Sequence, residues 1–249
     1  MRIIAKVQQD TMKQVRLYQN TPIQIGDELI LDSYASHHLV KVLRYPQGKD
    51  IVVFNGDGFD YSAIVLEAKK SCVVKILDKL QNDTESKLNL TLVQGIAKGE
   101  KMDFLMQKAV ELGVGKIAPV FTEHCVVRLK GEKLNKRHAH WQKIVIGACE
   151  QSGRAVVPEV IKPMNLSEYL DQKVEQGFVL HHRAQQSLLA IEPMTQATLL
   201  IGPEGGLSEA EIKHSVQAGY QPLLLGSRVL RTETASLAAI ANMQLLWGS

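Results

Sequence analysis

Several features that would place a chain in a membrane, an oxidising compartment or a metal site are missing from this sequence. Its three cysteines, Cys72, Cys125 and Cys149, are odd in number and have no Cys-x-x-Cys spacing, which disfavours both a disulfide framework and a structural zinc site. No uninterrupted apolar run approaches the ~20 residues that a membrane-spanning helix requires. Charges are spread through Met1 to Tyr18, where a signal peptide would carry an apolar block. These absences predict a cytoplasmic protein without a membrane partner. The G-x-x-x-x-G-K-[ST] phosphate loop is missing too: Gly95-Ile96-Ala97-Lys98-Gly99-Glu100-Lys101-Met102 has the wrong spacing and no hydroxyl. No G-x-G-x-x-G follows a strand and no G-x-S-x-G elbow occurs, so the commonest Gly-rich nucleotide sites and Ser-His-Asp hydrolysis lack support. The pairs His37-His38, His138-x-His140 and His181-His182 have no acidic or thiol partner at ligand spacing, and no metal is expected.

What is present is an ordinary globular composition, 45% apolar and 22% charged over 249 residues, long enough for two modest domains. The net charge of +3 is too small to announce a nucleic-acid partner, but its distribution is uneven. Between His124 and Arg154 stand seven Lys or Arg against two Glu, with His124, His138 and His140 beside them. Such a segment fits either a solvated face or a strip that attracts phosphates through counterion release.

Residues 1–80 read as mostly β. Asp50 to Phe54 and Tyr61 to Leu66 flank Asn55-Gly56-Asp57-Gly58, a tight hairpin signal. Cys72 to Leu77 is a further strand, and a helical turn is expected over Ser36 to Arg44. With Pro22, Gly26 and Gly48 as punctuation, the pattern suits a small barrel. Polar residues 81–88 read as a linker. Over 89–249 the rhythm becomes strand, helix, strand. Strands are expected at Leu90 to Gln94, Lys116 to Phe121, Phe178 to Leu180, Thr198 to Ile201 and Pro222 to Leu225. Helices are expected at Lys101 to Leu112, Trp141 to Gln151, Asn165 to Val174 and the C-terminus. In the first of these Phe104, Leu105, Lys108 and Leu112 fall at helical spacing. In the last, Leu237, Ile240, Ala241 and Leu245 share a face, as core or as a dimer contact. Strands alternating with helices argue for a parallel sheet, because parallel strands need crossover connections.

Ligands of open α/β sheets bind beyond the carboxyl ends of strands, which directs attention to two loops. After Ile201 comes Gly202-Pro203-Glu204-Gly205-Gly206-Leu207, then Ser208 and Glu211 spaced as a capping box. Three glycines in five residues let backbone pass close to a ligand, although for a Gly-Pro pair alone a tight turn with no ligand is the favoured reading. After Leu225-Gly226 comes Ser227-Arg228-Val229-Leu230-Arg231-Thr232-Glu233-Thr234-Ala235 at a helix entrance, a natural anchor for an anionic group.

These two loops together resemble the SPOUT methyltransferases, specifically the RsmE family of 16S ribosomal RNA (uracil-N3)-methyltransferases. His37-His38-Leu39-Val40-Lys41-Val42-Leu43-Arg44, Phe54-Asn55-Gly56-Asp57-Gly58, Glu111-Leu112-Gly113-Val114 and Glu150-Gln151-Ser152-Gly153-Arg154 with Val157-Pro158 also look like that family's motifs, in the expected order. One departure is His124, where the family commonly has Arg. The resemblance implies an N-terminal PUA-like β-barrel that binds RNA, and a C-terminal α/β domain closed by a deep trefoil knot. It also implies S-adenosylmethionine held in that knot, a homodimer, and the small ribosomal subunit as partner. Cofactor contacts are then expected from Leu180, His181, Ile201, Gly202, Pro203, Gly205, Gly206, Leu225, Gly226, Ser227, Val229, Leu230, Thr234 and Ala235.

For methyl transfer to a uracil nitrogen, Arg231 cannot be the base because guanidinium stays protonated, but it can stabilise charge on the carbonyl oxygens. Glu204 and Glu233 are the acidic candidates for the proton, although a helix-start glutamate is commonly a cap. Arg154, Arg128 and Lys98 are expected at phosphates, with His37 and Arg44 on the barrel holding RNA backbone. Methylation of another atom, such as a ribose 2′ hydroxyl, and a non-catalytic rRNA-binding assembly factor are the alternatives.

Overall fold

The computed structural model describes residues 14–172, 174 and 176–248. Most of the Met1 to Tyr18 reading, and Lys173 within one expected helix, lie outside them. Two compact units emerge: one takes the chain up to Glu85 together with Cys149–Val157, the other Ser86–Ala148 and Pro158 onward. The return of Cys149–Val157 to the first unit differs from the expected split at residues 81–88.

In the first unit, strands β1 (Arg16–Tyr18), β2 (Glu28–Ile30), β3 (Asp50–Phe54), β4 (Phe59–Glu67) and β5 (Val73–Gln81) form one sheet in the order β1-β3-β4-β5-β2. Among the described residues of this sheet, only β1 and β3 pair in parallel. The β3–β4 hairpin forms where expected: Gly56 and Gly58 take φ of 92° and 87°, and the Asn55 and Asp57 carboxamide and carboxylate accept backbone N–H bonds two residues on. Ile51, Val53, Tyr61, Ala63 and Val65 alternate into one core with Leu17, Leu39, Val74 and Ile76. Phe54, on the opposite face, is also fully buried, against Tyr18 and under the Arg16 guanidinium. A strand covered on both faces explains the unbroken apolar run Ile51 to Phe54. The expected turn at Ser36 to Arg44 is a short helix α1 (Ser33–His37), capped by Asp32, running into a π-helical turn over His38–Val42.

The second unit is α/β. Strands β6 (Asn89–Gly95), β7 (Lys116–Phe121), β8 (Glu159–Val160), β9 (Met164–Asn165), β10 (Gly177–Leu180), β11 (Gln196–Ile201) and β12 (Tyr220–Leu223) pair in parallel throughout. Their order is β12-β10-β11-β6-β7-β8, with β9 also on β7. Helices α2 (Glu100–Glu111), α3 (Gly131–Ser152), α4 (Leu166–Leu170), α5 (Glu209–Gln217) and α6 (Thr232–Trp247) connect or follow them. One face of the sheet packs Val93, Ala118, Val120, Val179 and Leu200 against Leu166, Tyr169 and Leu170 of α4. On α6, Trp247 lies 5.9 Å from Phe178, and α6 also contacts β11 and α2.

Several element readings need correction. Strand β12 begins and ends two residues before Pro222 to Leu225, α3 begins ten residues before Trp141, and α4 is a single turn and a half. The buried face of α2 is Met102, Leu105, Met106, Ala109 and Val110, leaving Phe104 46% exposed. That of α6 is Ser236, Ala239, Ile240, Met243 and Trp247, leaving Leu245 74% exposed. The Ser208–Glu211 capping box is present as expected, with both reciprocal hydrogen bonds made.

Candidate active site

Because every strand of the second sheet is parallel, the loops after β6, β7, β10, β11 and β12 leave from one edge. Two pairs of loops are stitched there. His181 N–H donates to the Leu223 carbonyl at 3.1 Å and Leu224 N–H to the Gln186 carbonyl at 2.9 Å, joining the loops after β10 and β12. The loop after β11 is tied to β6 and α6 by a buried neutral network. Gln94, with no exposed surface, donates its amide to the carbonyls of Gly95 and Gly202 and to Thr232 Oγ1 at 3.0, 3.3 and 3.0 Å. Thr232 Oγ1 donates to the Gly202 carbonyl at 2.6 Å, and Ser236 Oγ to Gln94 Oε1 at 2.7 Å. A Cβ on Gly95 would lie 2.5 Å from Pro203 Cδ, so this approach of two loops requires glycine.

Sequence reasoning gave no such bracing role to Gln94, Thr232 and Ser236. The one available signal was a polar amide at the end of the otherwise apolar run Leu90 to Gln94. Thr232, expected to help anchor an anion, is 6% exposed and committed to Gly202.

The two acidic candidates are placed differently. Glu204 Oε1 accepts the Lys98 backbone N–H at 3.1 Å and pairs with Lys101 Nζ at 3.3 Å. Burial pushes its carboxyl up, but the backbone N–H groups and Lys101 outweigh that and hold it below the usual carboxylate range. Glu233, in the first turn of α6, has an Oε2 shielded from solvent with no hydrogen-bond partner. Arg231, the residue that precedes α6, is exposed and forms no ion pair among the described residues. His124 reaches the glycine loop: its Nδ1 donates to the Gly205 carbonyl at 3.0 Å, which requires the proton on Nδ1 since a carbonyl only accepts. Burial first, then the neighbouring His182, lower the His181 pKa.

Leu180, His181, Leu225, Gly226, Ser227, Val229 and Leu230 are thus gathered at the joined ends of β10 and β12. Ile201, Gly202, Pro203, Gly205 and Gly206 lie at the adjacent end of β11, with Thr234 and Ala235 in the first turn of α6. The backbone N–H groups of Gly226 to Leu230 have no backbone partner among the described residues, and Val229 is 88% exposed. Backbone donors beside apolar side chains suit a nucleoside.

The expected RNA contacts divide. Lys98 and Arg128 are exposed in the second unit, and His37 and Arg44 are exposed in the first, where Arg44 takes a positive φ of 50°. Arg154 is a correction. It is 4% exposed, and its guanidinium holds Glu85 through two hydrogen bonds of 3.0 and 2.6 Å, so it braces the first unit instead of meeting phosphate. Among the described residues no group of three or more His, Cys, Asp or Glu is placed to hold a metal ion. His138 bonds the Val160 carbonyl and His140 pairs with Asp103. No helix among the described residues is long and apolar enough to cross a membrane.

Proteins similar to this chain include RNA methyltransferases. Residues 84–244 match the RNA methyltransferase domain family, and residues 32–77 the RNA methyltransferase PUA domain. A ribosomal RNA small subunit methyltransferase E from Buchnera aphidicola subsp. Schizaphis graminum is 36% identical over 237 residues, covering 94% of this chain and 96% of its own. The chain belongs to this methyltransferase family. The methyltransferase E of Bacillus subtilis is 31% identical, with coverage of 82% of this chain and 85% of its own. Among solved structures, the methyltransferase E of Neisseria gonorrhoeae bound to S-adenosyl methionine is 40% identical with a TM-score of 0.89, covering 94% of this chain and 98% of that one. A Legionella pneumophila structure described as a methyltransferase with bound cofactor SAM is 39% identical with a TM-score of 0.92, covering 95% of this chain and 99% of that one.

Proposed function

We propose that the chain transfers a methyl group from S-adenosylmethionine to N3 of a uridine in the 16S RNA of the small ribosomal subunit, in the cytoplasm. One observation carries the reading: two relatives at 39% and 40% identity over nearly the whole chain hold S-adenosylmethionine, and one of them is a methyltransferase E. The glycine loops and the entrance of α6 hold the cofactor mostly with backbone groups. When bound it supplies an electrophilic methyl group whose bond electrons stay with sulfur. Glu233 takes the N3 proton, since its Oε2 has no other partner while Glu204 is committed to the Lys98 backbone N–H and to Lys101 Nζ. Arg231 stabilises the negative charge that spreads onto the uracil carbonyl oxygens. Lys98 and Arg128 meet RNA phosphates.

Residues 1–80 serve as a PUA-like barrel that binds RNA through His37 and Arg44, residues 81–88 as the connection, and 89–249 as the methyltransferase domain. A knotted path through that domain is supported by the pairing of Leu224 with the loop after β10, followed by the return of α6 onto β11. A homodimer is supported by Phe104 and Leu245, large apolar side chains left exposed on two helices that pack together. The test is to incubate the protein with labelled S-adenosylmethionine and undermodified small subunits, then digest the RNA to nucleosides. Label in 3-methyluridine is expected. Label in a 2′-O-methylated nucleoside overturns the atom assigned, and tight subunit binding without transfer overturns the enzymatic reading.

A further inference from the structure

Two adjoining hollows of about 320 and 360 Å³ open at the carboxyl end of β7 and share Phe121, Arg128 and Asn165 as a common wall. They differ in chemistry. The first adds Lys130 to Arg128, and neither cation forms an ion pair among the described residues. Its carboxylate, Glu168, is occupied: Oε1 accepts from Asn165 Nδ2 at 2.8 Å and Oε2 from Asn165 N–H at 3.3 Å, as the cap of α4. The second sets hydrogen-bonding side chains beside an aromatic ring, Thr122, Ser167 and His214 with Phe121, and adds the carboxylates Glu123 and Glu211. Thr122 is 5% exposed, and its Oγ1 has no hydrogen-bond partner, which is unusual for a buried hydroxyl. Glu211, also in this wall, has both carboxylate oxygens taken by the backbone N–H groups of Glu123 and Ser208.

A hollow carrying Arg128 and Lys130, joined to one with an aromatic wall and hydrogen-bonding side chains, matches one nucleotide unit, whose phosphate and base need those two environments side by side. Because the end of β7 lies on the same sheet edge as the glycine loops, with β6 between β7 and β11, the cleft is a neighbour of the candidate active site and separate from it. We propose that this cleft holds one nucleotide of single-stranded RNA adjacent to the methylated one. Its phosphate sits on Arg128 and Lys130, and its base lies against Phe121 with an edge offered to Thr122. The inference rests on the methyltransferase reading for the identity of the RNA. It assigns the cleft to substrate positioning, not to the cofactor. Contacts of this kind raise the affinity for RNA without touching the transferred methyl group.

Ala210 and Ser167 are exposed and line the second hollow, so Ala210→Trp and Ser167→Trp fill it without entering the core. Each of these, and Arg128→Ala, is expected to raise KM for the RNA about tenfold, the size of one lost charge-assisted or stacking contact. kcat at saturating RNA and the calorimetric affinity for S-adenosylmethionine are expected to hold near their wild-type values. Arg128→Ala is also expected to reduce the salt dependence of RNA binding, whereas the tryptophan variants leave it unchanged. Wild-type KM in Arg128→Ala and in either folded tryptophan variant overturns the proposal and leaves the methyltransferase reading intact. A second measurement does not need turnover: a short single-stranded oligoribonucleotide titrated into isotope-labelled wild-type protein should shift the amide signals of Phe121, Thr122 and Ser167. Absence of those shifts at saturation overturns the cleft even if methylation is observed. Shifts there in a protein that transfers no methyl keep the cleft and overturn the enzymatic reading.

Discussion

Each unit is braced by a buried polar network, and the two networks are made of opposite materials. In the second unit Gln94, Thr232, Ser236 and the Gly202 carbonyl form a neutral cluster in which both Gln94 side-chain atoms are engaged. In the first unit the cluster is ionic. Arg16 Nη1 meets Asp60 at 2.6 Å, Asn82 donates to the same carboxylate at 3.0 Å, Arg16 Nη2 donates to the Arg154 carbonyl at 3.2 Å, and Arg154 clasps Glu85. This second cluster leaves Arg16 Nε and Asp60 Oδ1 without hydrogen-bond partners. The difference teaches where each material suits. A neutral amide can fix a loop carbonyl next to a ligand site without adding a field that would act on a charged cofactor. An ionic brace binds distant segments, but loses more when one partner is removed.

The largest expected effect follows from that contrast. Asp60→Ala leaves the Arg16 guanidinium, whose side chain is 7% exposed, without its carboxylate, and should destabilise the first unit by about 3–5 kcal/mol. Denaturant unfolding followed by a probe in that unit measures it, and a loss within the range of a surface pair would mean the ionic brace is no stiffer than the neutral one. Next come Arg231→Ala and Glu233→Gln, each expected to lower kcat roughly 100-fold or more with the circular dichroism spectrum unchanged. Unchanged turnover in either removes that residue from the mechanism.

Smaller still, Gln94→Met keeps the shape of the side chain while removing its hydrogen bonds. It should weaken S-adenosylmethionine binding about tenfold, by loosening the Gly202 loop, with RNA binding unaltered. Equal losses in both affinities would show that Gln94 acts through general stability alone. Glu204→Gln is expected to change kcat only a few-fold. It should also flatten the acid limb of the stability profile. A carboxyl held low by folding adds stability above its unfolded pKa, and that contribution disappears as pH falls through the lower folded value. Screening keeps this contribution small, because the Lys101–Glu204 pair is 41% and 31% exposed. Finally, Cys149, buried beneath the ionic brace, has a thiol pushed up to about 12 by burial despite Arg154. It should resist thiol reagents in the native protein and react on unfolding, while native reactivity would mean that the brace opens.

Much of the second sheet was legible in the sequence, because strands buried on both faces read as short apolar runs and β7 falls where Lys116 to Phe121 predicts it. The β3–β4 hairpin and the Ser208 capping box were legible as well, since their chemistry is local. Other features depended on partners far away. The buried face of α6 includes Ser236 because Gln94 lies opposite it, and spacing alone favours the apolar Ala241 and Leu245, which are exposed. Short strands β8 and β9 have too few residues to show a period.

Arg154 marks the boundary most sharply. From composition it belongs to a basic stretch, yet its partner Glu85 is 69 positions away, as Asp60 is 44 positions from Arg16. The sequence by itself determined the local grammar: where strands run, where glycines allow loops to approach, and which loops follow the carboxyl ends. Only the tertiary structure decided which charges are spent in the interior and which face outward, as Arg231 and Arg128 do. The physical reason is that backbone preferences are set by neighbours along the chain. The state of a charge is set by whatever the fold packs around it, where dielectric and partner outweigh local sequence.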